Sequence, residues 1–300
     1  MPPDNITPDI WFPNLRIYFQ RVPQAAVSPF GFDIYWYAVL IVVGILAAFF
    51  LAVAYAKKTG QKPEDYLDLL LLGVAMAFIG LRTYFLIFNW NPNYPALRQI
   101  FNVRDGGLAI YGGIIGALLA GLVMSKIKKI PFTTFADTCA PSLLLGQIIG
   151  RFGNFFNREA FGGYTNSLFA MRIRLDQARG VFYASGELRP QYADSIVFAQ
   201  GVYYLQVHPA FLYEAFFNLL LMIAIMIYRP HKKFEGEAIC LYLLGYGIIR
   251  FFVEGIRTDQ LMFFDTGFAA SQLMSVVFVV LSLLLIIAGR MRGTPPRRRY

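Results

Sequence analysis

The chain has 300 residues, of which 57% are hydrophobic, 17% aromatic and only 15% charged. Its mean hydropathy of +0.51 is too apolar for the surface of a soluble domain of this length, so the composition predicts a membrane protein. The formal net charge of +9 does not indicate a nucleic-acid partner, because the basic residues lie in loops between apolar segments, where anionic lipid is the expected partner.

Seven apolar segments, each close to the length that a bilayer requires, follow one another along the chain. They cover residues 35–56, 66–89, 108–124, 135–150, 209–228, 237–253 and 268–288. Their apolar character is continuous rather than alternating, which indicates helices and argues against a β-barrel. The predicted fold class is an all-α polytopic membrane protein with about seven transmembrane helices.

The orientation of these helices follows from the basic residues between them. Lysine and arginine concentrate in residues 57–62, 126–129, 229–233 and 290–299, which all fall on one side of the predicted membrane. By the positive-inside rule that side is cytosolic. The N-terminus is therefore expected outside and the C-terminus in the cytosol.

The segments outside the membrane divide the chain further. Residues 1–34 form an aromatic extracytoplasmic arm, and residues 290–300 form a basic cytoplasmic tail. Residues 163–207 mix polar with β-branched and aromatic residues, and Gln200 and Gly201 suit a hairpin turn. A small extracytoplasmic α/β head is predicted there, between helical regions at 35–162 and 208–289.

Two residue types inside the helices predict packing rather than chemistry. Glycines spaced for close helix contact occur at Gly112, Gly113 and Gly116 and again at Gly146 and Gly150. The two cysteines fall inside predicted helices and have no histidine at a metal-binding spacing. No metal and no other cofactor is expected.

The strongest functional signal is the segment GRFGNFFNREAFG at residues 150–162, where the fourth helix emerges. It holds Arg151, Asn154, Asn157, Arg158 and Glu159 within nine positions. An arginine at membrane depth costs about 2.5–3.5 kcal/mol on insertion scales, so such residues are usually functional. The alternative is that Arg151 reaches the interface and pairs with Glu159.

A second signal lies near the outer end of the sixth helix, in residues 245–260. Arg250 and Glu254 are four positions apart and share a helical face, so a self-neutralising ion pair would explain them. The presence of Arg151 on the same side of the membrane favours a different interpretation. Two guanidiniums together form a site for an anion, and phosphate suits their planar forks.

A third group of residues precedes or opens helices at the same outer level. His208 begins the segment HPAFLYE, in which Pro209 is well placed to open the fifth helix. A structural role for His208 is as probable as a catalytic one. Tyr111 and Tyr37 start the third and first helices, where tyrosine is an ordinary interfacial residue, and only the shared level with the arginines makes them candidates.

These motifs resemble the prolipoprotein diacylglyceryl transferases, which use phosphatidylglycerol as lipid donor. The resemblance extends over nearly the whole chain, because HPAFLYE, the RFFVE run, the glycine block and the WY pair of the first helix follow in the same order. The family signature is matched at Gly150, Arg151, Gly153, Asn154, Phe155, Asn157, Glu159 and Gly162. So many fixed positions make a chance match very improbable.

The resemblance implies an activity and a place in the cell. The diacylglyceryl group of phosphatidylglycerol would pass to the lipobox cysteine thiol of a prolipoprotein signal peptide, giving a thioether and glycerol 1-phosphate. The protein would lie in the cytoplasmic (inner) membrane of a bacterium, among bilayer lipid. Because the nucleophile belongs to the substrate, no Ser-His-Asp set is needed in this chain.

The resemblance also implies roles for individual residues. The catalytic candidates are Arg151, Arg250, Tyr111, His208 and Tyr37, with the arginines on the phosphate and His208 and Tyr111 ranked together as base ahead of Tyr37. The substrate-binding candidates are Arg151, Asn154, Asn157, Glu159, Gly162 and Glu254, with the two glutamates orienting the guanidiniums. One departure is that many family members carry histidine where this chain has Tyr111. Another is that Tyr35 replaces a histidine or arginine.

A transporter or channel for an anionic solute is the principal rival from another functional class. It would use the arginines to line a pathway through the membrane. The polar residues instead cluster at one level, and no inverted repeat is apparent. An assay with labelled phosphatidylglycerol and a lipobox peptide discriminates the two hypotheses.

Overall fold

The computed structural model describes residues 6–90, 100, 107–263 and 267–292. Within these residues seven long helices form most of the molecule. They are α1 (Trp36–Lys58), α2 (Pro63–Asn89), α3 (Ile110–Lys128), α4 (Phe132–Asn157), α5 (Ala210–Tyr228), α6 (Glu237–Ile256) and α7 (Ala270–Met291). The predicted apolar segments fall one in each helix, which confirms the mostly helical prediction.

Six of these described helices are long and apolar enough to cross a membrane. The exception is α4, although its 26 residues are ample in length. Its apolar surface is interrupted by Asp137, Gln147, Arg151 and Asn154, so its mean hydropathy is low. Arg151 and Asn154 also explain why the predicted segment 135–150 is shorter than the helix. The apolar signal stops at residue 150 because these polar side chains follow it, whereas α4 itself continues to Asn157.

The helices pack mainly in pairs, α1 with α4, α2 with α3 and α6 with α7, while α5 joins α4 to α6. Backbones approach closely between α2 and α3, where a β-carbon at Gly112 would collide with the carbonyl of Gly80. This agrees with the predicted close contact around Gly112 and Gly116. The prediction is wrong at Gly150, where an added β-carbon would meet open space because no neighbouring helix covers that face.

A buried carboxylate fixes the end of the bundle at which α4 and α6 begin. Asp137 is 2% exposed and accepts hydrogen bonds from the backbone N–H groups of Gly236 and Ile239. It also forms an ion pair with Lys232 at 2.8 Å. A carboxylate on these N–H groups stabilises the start of α6, because it satisfies donors that lack intrahelical partners. The three helices α4, α5 and α6 are therefore held in register at this end.

A five-stranded antiparallel sheet covers the other end of the bundle. Its strand order is β2-β1-β5-β7-β6, and a second sheet pairs β3 with β4. The strands are β1 (Ile10–Phe12), β2 (Ile17–Phe19), β3 (Ala25–Val27), β4 (Ile34–Tyr35), β5 (Met171–Arg174), β6 (Ile196–Ala199) and β7 (Val202–Val207). Gln200 and Gly201 join β6 to β7 with φ of 50° and 76°, which confirms the predicted hairpin turn.

The five-stranded sheet combines strands from two segments that the sequence analysis treats as separate, the N-terminal arm and the predicted head. Ile10 of β1 pairs with Ile173 of β5, and both side chains are buried beside Leu205 and Val207. Residues 6–34 and 163–207 thus contribute to one sheet and one hydrophobic core. Arg158, just after α4, ties this layer to the helices through Asp9 at 3.2 Å.

Candidate active site

A buried glutamate connects three helices near the sheet. Nη2 of Arg151, from α4, lies 2.5 Å from Oε1 of Glu214 in α5. Nη1 of Arg250, from α6, lies 3.0 Å from Oε2 of the same glutamate. Arg151 and Arg250 each lie six residues from the last residue of their helices, which is on the order of 9 Å at 1.5 Å per residue. The predicted convergence of the two arginines is confirmed, with Glu214 as the group between them.

The ion pairs continue along α6 and beyond its end. The second guanidinium nitrogen of Arg250 contacts Glu254 at 2.5 Å, and Arg257 reaches Asp259 at 2.8 Å and lies 3.8 Å from Glu254. The pair between Arg250 and Glu254 that the four-residue spacing predicts is thus present, but it is one part of a larger set. We refer to Arg151, Glu214, Arg250, Glu254, Arg257 and Asp259 as the ion-pair network.

The network combines buried carboxylates with partly open guanidiniums. Glu214 is 1% exposed, whereas the side chains of Arg151 and Arg250 retain 21% and 16% of their surface. Each guanidinium has five N–H donors in a fixed plane, so a pair to Glu214 leaves donors for another anion. The arrangement keeps the charges of two partly exposed arginines compensated and still offers them to a ligand.

Two asparagines of the signature segment bind one carboxylate through their side-chain amides. Asn157 donates to Oε1 of Glu159 at 2.9 Å, and Asn154 donates to the same oxygen at 3.3 Å. The prediction that Glu159 orients a guanidinium, and the alternative that it pairs with Arg151, are both wrong, because Glu214 supplies the carboxylate that Arg151 contacts. Glu159 instead fixes the two amides at the end of α4.

Gly162 lies at a junction of three backbone segments. Its N–H donates to the carbonyl of His208 at 2.9 Å, while the N–H of Gly163 donates to the carbonyl of Ile256 at 3.0 Å. A β-carbon at Gly162 would lie 2.8 Å from both the His208 β-carbon and the Ile256 carbonyl oxygen. The glycine is required by this close approach, which joins the signature segment to the start of α5 and the end of α6.

Replacing Gly162 with alanine is expected to lower the free energy of unfolding by about 1–3 kcal/mol, since the methyl group meets backbone that cannot move aside. The measurement is the thermal unfolding midpoint of the purified protein in detergent. Gly163→Ala is a matched control, because its β-carbon would approach only Thr258, at an ordinary 4.0 Å. Equal midpoints for the two variants would contradict the prediction.

His208 lies beside this junction, immediately before α5. Its Nδ1 is 3.2 Å from the hydroxyl of Tyr213, and the two rings meet edge to face. Burial lowers the pKa of His208 below its ordinary value of 6.5, because the charged imidazolium loses hydration. The side chain is therefore neutral at pH 7, as both a structural role and a proton-accepting role require.

This lowered pKa predicts a pH dependence of stability. Above about pH 6.5 both folded and unfolded states hold neutral His208; below it the unfolded state binds the proton first. The contribution of His208 to stability is thus present above pH 6.5 and is lost as the pH falls through its lowered pKa. Thermal midpoints measured between pH 7.5 and 5 should fall less in His208→Gln than in the wild type.

The other histidine provides the control for this measurement. His231 is the only other histidine in the sequence and is exposed at the far end of α5. His231→Gln should follow the wild-type curve. A His208→Gln curve that also follows it would show that His208 does not titrate differently in the two states.

The two candidate tyrosines lie in different places. The ring of Tyr37 at the start of α1 packs on Gly153 of α4, and together with Asn157 it lines a cleft of about 310 Å³. Tyr111 at the start of α3 lies against Tyr84 of α2, with ring centroids 6.3 Å apart. The structure thus brings Tyr37 onto the signature helix, whereas Tyr111 belongs to the α2–α3 pair.

The central residue of the network, Glu214, was not among the residues that the sequence predicted to be functional. A signal for it exists, because it is the one charged residue in the apolar run of α5. A carboxylate within a membrane helix requires a cationic or hydrogen-bonding partner. Its place at the end of the HPAFLYE motif could have identified it as the partner of the two arginines.

A protein-family model and the curated relatives of this chain carry matching descriptions. A family model described as "Prolipoprotein diacylglyceryl transferase" matches residues 24–288. Among curated proteins, relatives in Bacillus cereus and Bacillus cytotoxicus are each 38% identical over 278 residues, which is 93% of this chain and 96% of the relative. One in Listeria welshimeri is 37% identical over 277 residues, 92% of this chain and 93% of the relative. All three are named phosphatidylglycerol--prolipoprotein diacylglyceryl transferase.

Proposed function

Because the chain belongs to the prolipoprotein diacylglyceryl transferase family, we propose that its ion-pair network binds the phosphate of phosphatidylglycerol during transfer. The chain is a multi-pass membrane transferase of lipoprotein biosynthesis, and its reaction is the first step of lipoprotein maturation. The observation that carries the proposal is Glu214 held between the partly exposed guanidiniums of Arg151 and Arg250.

The bond changes define what the site must do. The thiolate of a lipobox cysteine attacks the glycerol carbon that bears the phosphate, the carbon–oxygen bond breaks, and glycerol 1-phosphate leaves with the bonding electrons. A thioether forms and the thiol proton passes to a base. The protein therefore has to stabilise a phosphate that gains charge and accept one proton.

Arg151 and Arg250 suit the first task. Their forks approach Glu214 from two helices, so a phosphate beside that carboxylate could bind a donor from each guanidinium. Donors that are fixed before the reaction stabilise charge that develops in the transition state without reorganisation. Glu214 and Glu254 hold the guanidiniums in place, while Asn154 and Asn157 at the end of α4 supply further amide donors or acceptors.

For the second task His208 and Tyr111 remain alternatives, with Tyr37 next. His208 is neutral near pH 7, and in the tautomer whose Nδ1–H donates to the Tyr213 hydroxyl its Nε2 is the ring nitrogen that accepts a proton. A neutral tyrosine is a weak base, so Tyr111 is better suited to position the lipid or the thiol. An unperturbed thiol has a pKa of about 8.5, and nearby arginines lower the free energy of the thiolate.

We further propose the topology that brings the substrates to this site. All seven helices, including the polar α4, would cross the cytoplasmic membrane of a bacterium, with the N-terminus and the sheet outside and the C-terminus in the cytosol. The support is the concentration of basic residues at the opposite ends of the helices from the sheet. Both substrates are held by the bilayer, so they would reach the network laterally, between helices.

The activity is tested by reconstituting the protein in liposomes with phosphatidylglycerol labelled in its diacylglyceryl group and a lipobox peptide. Label should appear on the peptide, and a peptide with serine in place of the cysteine should remain unlabelled. A failure to label the cysteine peptide would overturn the proposal. Tyr111→Phe and His208→Gln separate the two bases, because the variant that lacks the true base should lose transfer while the other retains it.

A further inference from the structure

A second layer of polar side chains lies directly beneath the ion-pair network. Gln147 is one helical turn from Arg151 on α4, Asn218 is one turn from Glu214 on α5, and Tyr246 is one turn from Arg250 on α6. Residues four apart share a helical face. The layer therefore faces the same interior as the network above it.

The antiparallel packing of α4 against α5 sets the level of Gln147 and Asn218. Arg151 contacts Glu214, and two to three turns deeper Leu144 and Ala140 pack in one cluster with Ile225. Gln147 precedes Arg151 by four residues on α4, and Asn218 follows Glu214 by four residues on α5. Because the two helices run antiparallel, both residues lie one turn from the ion pair in the same direction. This register places the two amides at the same depth, between a charged layer and an apolar layer.

These amides have hydrogen-bonding atoms without partners. Asn218 is 0% exposed, and within the described residues neither its Nδ2 nor its Oδ1 has a hydrogen-bond partner. Gln147 donates from Nε2 to the hydroxyl of Tyr242 at 2.9 Å, but its Oε1 is buried without a partner. An orphaned buried amide is strongly unfavourable, and native proteins satisfy such groups with ordered water.

Such water would also have a second function. The hydroxyl of Tyr246 is 3.5 Å from Oε1 of Glu214, which is the separation at which a bridging water improves a weak direct contact. Water in this layer would therefore touch both the amides and the groups that support Glu214.

We propose that Asn218 and Gln147 bind internal water one helical turn beneath the Arg151–Glu214 ion pair. Water accepts from the Asn218 amide nitrogen and donates to the two amide oxygens, so every orphaned atom of the layer gains a partner. A second molecule, bonded to Tyr246, donates to Glu214 and supports it, which makes Asn218 a positioning residue. This last part rests on the proposed function, whereas the water site does not.

A double-mutant cycle on the thermal midpoint tests the water site. If Asn218 is an orphan, Asn218→Leu removes an unfavourable buried group and raises the midpoint. If Asn218 shares water with Gln147, then Asn218→Leu and Gln147→Leu each lower it by roughly 2–4 °C, and the double variant loses clearly less than the sum. A raised midpoint or strictly additive losses would overturn the proposal.

Two further variants keep this test decisive. Ser282 of α7 is buried with its hydroxyl bonded to its own helix, so Ser282→Ala combined with Gln147→Leu should show additive losses. Asn218→Ser retains a hydroxyl that holds the same water, and it should unfold within about 2 °C of the wild type. A large loss in Asn218→Ser would count against the water site, even if Asn218→Leu fails to fold.

The positioning role is read from kinetics. Asn218→Leu should lower kcat by roughly tenfold while KM for phosphatidylglycerol stays within about twofold, and Asn218→Ser should restore kcat. An unchanged kcat, or a change in KM alone, would overturn this part. If the wild type shows no transfer, the proposed function fails while the thermal cycle still decides the water site.

Discussion

Replacing Glu214 with glutamine is expected to reduce diacylglyceryl transfer by about 10³-fold, because the two arginines then lose the group that fixes their forks. Glu214 is almost completely buried and accepts from Arg151 and Arg250 on separate oxygens. Glutamine keeps the shape but presents only one acceptor and no charge. Arg151 would lose its carboxylate partner and Arg250 would retain only Glu254, so both forks would leave the positions that Glu214 fixes.

The same substitution should destabilise the protein by about 3 kcal/mol, since removal of one partner from a buried ion pair leaves uncompensated charge. The measurement is kcat for transfer in liposomes, normalised to the protein that elutes as a folded species in detergent. Glu187→Gln is the control, because Glu187 is an exposed carboxylate in a loop beside the sheet. Activity of Glu214→Gln close to that of Glu187→Gln would show that Glu214 does not position the arginines.

Replacing Arg151 with lysine should lower transfer by about 10²-fold even though the positive charge is retained. A planar guanidinium contacts Glu214 with one nitrogen and has further donors in the same plane for a phosphate. An ammonium is a point charge on a flexible stem, so it binds the carboxylate or the phosphate but does not hold both in a fixed geometry. The loss should therefore appear mainly in kcat, where transition-state contacts are measured.

The control for this substitution is an arginine with a similar ion pair elsewhere. Arg174 forms a two-point contact with Asp176 at the surface of the sheet, and Arg174→Lys should transfer at the wild-type rate. Arg151→Lys with wild-type kcat would mean that charge alone is sufficient at this position. That outcome would remove the fork geometry from the proposed mechanism.

The sequence predicted the helices well because each apolar segment carries its own signal. The same signal failed at the end of α4, where the prediction stops at residue 150 and the helix continues to Asn157. Arg151 and Asn154 look unfavourable in an isolated membrane helix. Glu214, the partner of Arg151, lies on another helix, and Glu159, the partner of Asn154, lies just beyond the end of α4; apolar periodicity contains no information about either.

The strands of the N-terminal arm could not be predicted for a related reason. β1 has three residues, too few for a reliable alternation, and it pairs with β5 about 160 positions later in the chain. The hairpin of β6 and β7 was predictable because Gln200 and Gly201 provide a local turn signal. Long-range pairing of short strands depends on the shared hydrophobic core, which only the folded chain reveals.

The sequence also predicts one part of the candidate site and misses another. The convergence of Arg151 and Arg250 could be predicted from topology, because both arginines precede the predicted outer ends of their helices. The choice of carboxylate could not, since Glu159 and Glu254 are nearer in sequence to the arginines than Glu214 is. Only the antiparallel register of α4 and α5 places Glu214 between them.

If the ion-pair network binds the lipid phosphate as proposed, its charge pattern also sets the distance at which the substrate is recognised. Its three guanidiniums and three carboxylates alternate in space, so their fields largely cancel within a few ångströms of the surface. Two uncompensated arginines would instead attract anions over about one Debye length, ~8 Å at physiological ionic strength. Under the proposed function, anionic headgroups would therefore not be drawn in from afar. They would arrive by two-dimensional diffusion in the bilayer and be selected at contact, by how well their oxygens fit the donors of the two guanidinium forks.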